Sequence, residues 1–170
     1  IGFLLADEVG LGKTISAWDF VLGVPAFKKA LVVTTSAAVP HWRNTIQHTG
    51  HGDKDVLVIN YDRLGKLFDV SAKPDLSTRR KGKRKRLASK GEPEVFDVII
   101  FDEAHKGKNL TSARSIMMRR LGSKAKFVIW ASATAGQNPL ELAYLAPLLA
   151  QVTGHRLSEM TEDFEAWCKE

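Results

Sequence analysis

The chain has 170 residues, of which 44% are hydrophobic, and this combination suits one domain with a packed core. No apolar run reaches the ~18 residues of a membrane span. The first residues lack the basic start and the cleavage site of a signal peptide, so we expect neither a membrane segment nor a secretory leader. Cys168 is the single cysteine, which excludes an internal disulfide and favours a reducing compartment. The missing initiator Met indicates a piece of a longer protein.

The formal net charge of +6 is concentrated in one segment. Residues 73–90 hold nine basic residues and one acidic residue, a net charge of +8, so the rest of the chain carries −2. The high isoelectric point therefore belongs to this segment and not to the domain surface as a whole.

Apolar runs alternate with amphipathic stretches along the chain. The predicted strands and helices, in chain order, are strand 1–6, helix 13–22, strand 29–35, helix 40–49, strand 55–61, strand 96–104, helix 111–121, strand 126–134, helix 139–151 and a helical stretch from residue 159. Continuous β-branched and aromatic strands separated by helices predict an α/β fold, with a mostly parallel sheet and helices on both faces.

The stretch "LLADEVGLGKT" lies between the first strand and the first helix, which is the context of a phosphate-binding loop. The glycines let backbone N–H groups turn toward phosphate oxygens, and the helix adds its positive N-terminal end. Lys13 would reach the β- and γ-phosphates, and the Thr14 hydroxyl would bind Mg²⁺. The predicted nucleotide-binding residues are Gly10, Leu11, Gly12, Lys13 and Thr14. Asp7 replaces the first glycine of the usual pattern, and an ordinary glycine-rich turn is the alternative.

The stretch "VIIFDEAH" ends a buried strand in an acidic pair. Asp102 is predicted to hold Mg²⁺, and Glu103 to polarise the attacking water. Parallel strands end at one edge of the sheet, where ligands of open α/β sheets bind, so these acids and Lys13 are expected to converge. The glutamate favours hydrolysis over phosphoryl transfer to a metabolite. The chain has no Asn-Lys-x-Asp motif, which argues against a GTPase.

Three stretches together are similar to a known family. "LLADEVGLGKTISA", "DVIIFDEAHKGKN" and "SATAGQNPLELAYL" resemble motifs I, II and III of superfamily-two helicases, and most of all the Swi/Snf-type ATPases. "LVVTTSAAVPHW" resembles motif Ia of that branch, and "VLVINYDRL" resembles its Ser-Tyr-Asp-x-Leu segment. The resemblance extends from Gly2 to Leu149, and the family commonly carries Asp at the position of Asp7.

The resemblance implies a RecA-like P-loop domain in a DNA-dependent ATPase that uses ATP and Mg²⁺ and moves along double-stranded DNA. It implies phosphate binding by Lys13, Mg²⁺ binding by Thr14 and Asp102, and activation of water by Glu103. The residues that it implies couple the nucleotide to the grip on DNA are His105, Ser132 and Thr134. "SAT" is the wider helicase form of this motif, where the Swi/Snf branch more often has Gly-Thr-Pro.

The family has two RecA-like lobes with ATP between them, and residues 1–170 resemble the first lobe alone. The arginines of the second lobe are worth about 10³–10⁵ in rate. The upstream glutamine segment that contacts adenine in the family is also absent from the sequence. The resemblance therefore predicts that the isolated chain binds nucleotide weakly and hydrolyses it hardly at all.

Residues 72–94 read as a mobile basic insertion, because they are too long and too polar for an ordinary connection. Seven of the eight residues in 79–86 are basic, namely Arg79, Arg80, Lys81, Lys83, Arg84, Lys85 and Arg86. Three readings stay open: auxiliary contact with DNA phosphates, a nuclear localisation signal, or a solvated loop. The ends of the insertion are expected at the sheet edge opposite the phosphate loop.

Two other functions stay open from the sequence. In the first, the lobe belongs to a DEAH-type RNA helicase. In the second, it binds nucleic acid or a partner protein without hydrolysing ATP. The compact motifs favour a bacterial or viral protein in the cytoplasm, while the basic run also fits a nuclear protein.

Overall fold

The computed structural model describes residues 1–6, 12–69, 91–108, 112–133 and 145–154. The strands in these residues are β1 (Gly2–Ala6), β2 (Lys29–Thr34), β3 (Asp55–Asn60), β4 (Phe68–Asp69), β5 (Glu92–Pro93), β6 (Val98–Asp102) and β7 (Phe127–Ser132). The helices are α1 (Lys13–Leu22), α2 (Val39–Thr49), α3 (Ala113–Lys124) and α4 (Ala146–Thr153), with 3₁₀ segments at Tyr61–Leu67 and Ala104–Gly107.

Five of the strands form one parallel sheet in the order β1-β7-β6-β2-β3. This confirms the predicted α/β class. Strand β7 lies between β1 and β6, so that Ala6 is opposite Ser132 and Asp102 is opposite Ala131. Strands β1, β7 and β6 therefore end side by side at the carboxyl edge of the sheet.

Alternate residues of the strands feed two hydrophobic cores, one on each face of the sheet. Ala30, Val32 and Ile100 join a core with α1 and α2, which contribute buried tryptophans. Leu31 and Phe101 join a second core, formed with α3 and the segment Tyr61–Leu67. Helical layers thus cover both faces, which explains why the central strands read as almost continuous apolar runs.

Local signals explain where two of the helices begin and end. The Oγ of Ser112 accepts the backbone N–H of Ser115 at 3.1 Å, which caps the start of α3. Helix α1 ends before Gly23, whose N–H bonds to the carbonyl of Asp19 at 3.0 Å. These bonds satisfy backbone groups that the helix ends would otherwise leave unpaired.

The amino edge of the sheet is held by Asp97, just before β6. Its Oδ2 accepts the backbone N–H groups of Lys28 and Lys29 at 2.8 and 2.9 Å, and its Oδ1 accepts the ammonium of Lys126 at 2.7 Å. The hydrogen bond from Lys126, followed by the backbone N–H of Lys29, lowers the pKa of this carboxyl from 3.8 to about 2. One carboxylate therefore ties the starts of β2, β6 and β7 together.

Several predicted boundaries shift. The strand predicted over 96–104 is β6, which ends at Asp102 because Glu103 leaves the extended conformation. The strand predicted over 55–61 ends at Asn60, since Tyr61 begins a 3₁₀ segment. Of the helix predicted over 139–151, residues 146–151 lie in α4, while 139–144 lie outside the described residues, as does the stretch from residue 159.

The short antiparallel pair β4–β5 was not predicted, and it flanks the basic segment. Phe68 is opposite Pro93, and Glu92–Pro93 belongs to the last residues of the insertion predicted over 72–94. Residues 72–90 lie outside the described part of the chain. Glu94 forms an ion pair with Lys29 at 2.7 Å, so the segment re-enters the fold at the amino edge, as the topology predicted.

In the described ranges, no helix combines the length and the apolar character needed to cross a membrane.

Candidate active site

The phosphate-loop side of the site is described from Gly12 onward. Gly12 precedes α1 with φ 78° and ψ 24°, a left-handed conformation that glycine adopts without the penalty of a Cβ. Helix α1 begins at Lys13, and both Lys13 and Thr14 are half-buried in its first turn. The N-terminal end of α1 therefore follows the strand that ends at the carboxyl edge. Gly10 and Leu11 lie outside the described residues.

Asp102 is held at the end of β6 by two neutral donors. Its Oδ2 accepts the Thr34 hydroxyl at 2.7 Å and the Trp42 indole N–H at 2.9 Å. Thr34 ends the neighbouring strand β2, and Trp42 comes from α2 on one face of the sheet. Both donors are buried, at 0% and 1% exposure, so water does not compete for these bonds.

A third side chain holds the backbone of the same residue. The Tyr61 hydroxyl donates to the carbonyl oxygen of Asp102. Tyr61 packs in the core on the other face of the sheet, and the Arg114 guanidinium lies 5.6 Å from its ring centroid. Asp102 is therefore held from both faces, by its carboxylate on one side and by its peptide group on the other.

Glu103 has φ 53° and ψ 47°, the one positive φ at a residue other than glycine in the described part of the chain. For an L-residue this left-handed conformation costs about 1–2 kcal/mol. The surrounding structure must supply that energy, and the bond from Tyr61 to the preceding carbonyl is one such constraint. Strained backbone of this kind clusters at functional sites, which marks the end of β6 as a candidate.

His105 links the acidic pair to the neighbouring strand. Its Nδ1 lies 2.9 Å from the Ser132 Oγ at the end of β7 and 3.4 Å from the Glu103 Oε2. Ser132 is fully buried, while His105 and Glu103 are half-buried. The imidazole thus contacts both the residue after β6 and the last residue of β7.

Several of the predicted residues that the structure describes lie at the carboxyl edge or in the element that follows it. Asp102, Glu103, His105 and Ser132 lie at the ends of adjacent strands, and Lys13 begins the helix that follows the neighbouring strand β1. The predicted residues outside the described ranges are Gly10, Leu11, Thr134, Arg79, Arg80, Lys81, Lys83, Arg84, Lys85 and Arg86.

Three residues of the site were missed: Thr34, Trp42 and Tyr61. From the sequence, none of the three was assigned a role at the nucleotide site. One signal was available for Thr34, a polar residue that ends an apolar strand as Asp102 does. The two aromatic residues gave no such signal, because an indole or phenol in an apolar pattern usually indicates core packing.

The donor set fits a magnesium-bound nucleotide. Mg²⁺ is typically bound by one or two carboxylates together with phosphate oxygens and water. Asp102 offers one carboxylate at the carboxyl edge of the sheet. Thr14, in the first turn of the helix that follows β1, offers a hydroxyl. The part of the chain that the structure describes contains no cluster of three or more His, Cys, Asp or Glu residues able to hold a metal alone.

Comparisons with known proteins point to one family. The family model described as the SNF2-related domain matches residues 1–170. The ISWI chromatin-remodeling complex ATPase ISW2 of Saccharomyces cerevisiae is 33% identical over 182 residues, covering 96% of this chain and 15% of that protein. The DNA repair and recombination protein RAD54B of Gallus gallus is 28% identical, covering 84% of this chain and 16% of that protein.

Among solved structures, the chain resembles the Sulfolobus solfataricus SWI2/SNF2 ATPase core in complex with dsDNA, with a TM-score of 0.61 and 19% identity. The match covers 95% of this chain and 34% of that one, and it supports the RecA-like fold. The chain spans only 15–16% of the two curated relatives named above. The chain belongs to the SNF2-related family of superfamily-two helicases, of whose ATPase core it forms the first lobe.

Proposed function

We propose that this chain is the ATP-binding lobe of a DNA-dependent ATPase that remodels DNA or protein–DNA structures by ATP hydrolysis. The observation that carries the proposal is the carboxyl edge of the sheet, where the strained Glu103 follows a doubly held Asp102. Lys13, at the start of the helix after β1, belongs to the same edge.

Phosphate binding is assigned to the start of α1. The left-handed Gly12 leads directly into the first turn, whose backbone N–H groups and positive dipole end favour anions. The Lys13 ammonium adds a full charge for the β- and γ-phosphates. Gly10 and Leu11 complete the loop in this proposal.

Asp102 and Thr14 are the residues that would hold Mg²⁺. When bound, the ion neutralises charge on the phosphate oxygens. The Asp102 carboxylate is already oriented by Thr34 and Trp42, so little reorganisation is needed on binding.

Glu103 is the proposed general base. Its carboxylate would accept a proton from the attacking water as the oxygen approaches the γ-phosphate. The left-handed backbone carries the chain sharply out of β6, so this carboxylate does not continue the alternation of the strand. Strain at this residue thus serves to place a base beside a metal ligand.

His105 and Ser132 are proposed to transmit changes in the bound nucleotide to strand β7. The imidazole contacts Glu103 on one side and Ser132 on the other, so a change at the γ-phosphate would reach the end of β7 directly. Thr134 follows two residues after Ser132 and is proposed to extend this path toward the nucleic acid.

Double-stranded DNA and a second RecA-like lobe are the proposed partners. The printed names of the relatives contain chromatin remodeling and DNA repair, which favours DNA over the RNA of a DEAH-type helicase. We propose the basic segment 79–86 as an auxiliary phosphate contact. Neutralising it would leave the salt dependence of duplex binding unchanged if this assignment is wrong.

The cytoplasm of a bacterium or of a virus-infected cell is the proposed location, with the nucleus as the alternative. The word chromatin in the name of the yeast relative favours the alternative. Imaging of the tagged complete protein in its own host would separate the two.

The central test is ATP hydrolysis by the complete protein that carries this lobe. Turnover should rise with duplex DNA more than with RNA, and Lys13→Ala should lower it by about 100-fold or more, since the site loses its phosphate charge. Lys126→Ala is the matched control, because Lys126 lies at the amino edge. Stimulation by RNA alone would favour the RNA helicase, and turnover that survives Lys13→Ala would favour a lobe that binds without catalysis.

A further inference from the structure

The bonds to Asp102 are asymmetric between its two carboxylate oxygens. Oδ2 accepts both the Thr34 hydroxyl and the Trp42 indole N–H. Within the described residues, no hydrogen bond to Oδ1 is found. The two donors come from 68 and 60 positions away in the chain, so only the folded structure creates this arrangement.

Trp42 does more than satisfy its own indole. A buried indole N–H needs an acceptor, and a backbone carbonyl is enough, as Trp18 shows by donating to the Gly50 carbonyl at 3.0 Å. Trp18 and Trp42 are both fully buried in the same core. Trp42 differs because its acceptor is a carboxylate at the candidate active site, and such charge-assisted bonds are the stronger ones.

The two bonds restrict rotation of the carboxylate. The terminal torsion of an aspartate is broad and nearly two-fold, so a free carboxylate exchanges its two oxygens easily. An orientation between the two equivalent ones would break two buried bonds at once and leave two buried donors unpaired. One carboxylate oxygen, Oδ2 in this structure, is therefore always turned toward Thr34 and Trp42, and the other, Oδ1, is the oxygen available to a ligand.

We propose that Thr34 and Trp42 are positioning residues that reserve the Oδ1 of Asp102 for Mg²⁺. This inference rests on the proposed function, because it assumes that the lobe binds a nucleotide with Mg²⁺. Partners that orient metal ligands typically contribute 10–100-fold to metal affinity. Thr34 and Trp42 act through Asp102, and neither is assigned a contact with the nucleotide.

The test compares ADP binding with and without Mg²⁺ in the complete protein, by calorimetry. The dissociation constant without Mg²⁺ divided by that with Mg²⁺ is a ratio that measures the contribution of the metal. Thr34→Val removes the hydroxyl at nearly constant volume, and Trp42→Phe removes the indole N–H but keeps an aromatic ring. We expect each variant to lower this ratio by about 10-fold while ADP binding without Mg²⁺ stays unchanged.

Two matched variants separate positioning from packing. Trp18→Phe makes the same change in the same core, away from Asp102, and should keep the ratio of the unaltered protein. Thr34→Ser retains a hydroxyl and should restore the ratio that Thr34→Val loses. If Trp42→Phe fails to fold, the two Thr34 variants still carry the comparison.

Two results would overturn the inference in distinguishable ways. In the first, Mg²⁺ strengthens ADP binding in the unaltered protein, and the ratio is unchanged in both Thr34→Val and Trp42→Phe. Thr34 and Trp42 would then be structural residues only, and the proposed function would stand. Absence of any Mg²⁺ effect in the unaltered protein would instead remove the proposed function and the inference together.

Discussion

Two aspartates flank the same central strand, and they are held in opposite ways. Asp97, at the amino end of β6, meets the ammonium of Lys126 and two backbone N–H groups. Asp102, at the carboxyl end, meets a hydroxyl and an indole N–H. The charge of Asp97 is neutralised by the exposed ammonium of Lys126, whereas neutral donors leave the charge of Asp102 available for a cation. The amino edge is thus held by an ion pair, and the carboxyl edge is the candidate for ligand binding.

The largest expected effect lies at the carboxyl edge. Glu103→Gln removes the proposed base and keeps the size and shape of the side chain, so kcat for ATP hydrolysis should fall by about 10²–10⁴. Binding of ADP with Mg²⁺ should stay close to that of the unaltered protein. Steady-state hydrolysis and calorimetry on the complete protein measure the two quantities.

The same change at the amino edge is the control. Glu94→Gln removes an exposed ion pair with Lys29, and kcat should not change. Equal losses in the two variants would mean that the edges do not differ in function. Retention of full turnover in Glu103→Gln would remove the base assignment.

An intermediate effect is expected at the amino edge. The pKa of Asp97 is about 2 in the folded chain against 3.8 ordinarily, a difference worth about 2 kcal/mol of unfolding free energy. Because the pKa is depressed by folding, this stability is fully present above pH ~4 and is lost as the pH falls toward 2. Asp97→Asn should therefore destabilise the chain at neutral pH. The difference in unfolding free energy between the unaltered chain and this variant should become smaller between pH 4 and 2.

Urea denaturation across this pH range checks the prediction. Asp53→Asn is the control. The hydrogen bond from Lys28 lowers the pKa of Asp53 as well, but this ion pair is exposed to solvent. That variant should change stability little. A gap for Asp97→Asn that stays constant down to pH 2 would show that the charge of Asp97 does not stabilise the fold.

The smallest effect concerns backbone strain at Glu103. Glu103→Ala and Glu103→Gly both lack the carboxylate, but only glycine adopts a positive φ without cost. The glycine variant should therefore be more stable than the alanine variant by about 1 kcal/mol in urea denaturation. At an ordinary helical position the alanine variant would be the more stable of the two. The sign of the difference therefore shows whether the left-handed backbone at residue 103 is strained.

Local patterns were enough to predict most of the fold. Continuous apolar runs at 29–35 and 126–134 predicted parallel strands because a strand buried on both faces must be apolar throughout, and β2 and β7 confirm them. The boundary at Tyr61 was wrong by one residue, since apolar character continues into the 3₁₀ segment whose buried residues enter the same core. The pair β4–β5 was missed because two-residue strands carry no periodicity.

The sequence indicated only some of the residues that meet at the candidate site. Asp102 and Glu103 were predicted as candidates because an acidic pair after an apolar strand stands out against its surroundings. Trp42 and Tyr61 were not, because an aromatic residue in an apolar pattern reads as core whether or not its polar atom has a functional partner. The left-handed backbone of Glu103 has no sequence signal, as any residue but glycine would be expected to avoid it.

The sequence by itself determined which chemical groups this lobe carries and that its strands run parallel, because residue identity and hydrophobic periodicity are local properties. Only the tertiary structure decided that β7 separates β1 from β6, and that a threonine and a tryptophan meet one oxygen of Asp102. Periodicity reports that a side chain is buried but not which partner it meets across the sheet. That partner depends on strand order and register, which are set by the packing of the whole domain.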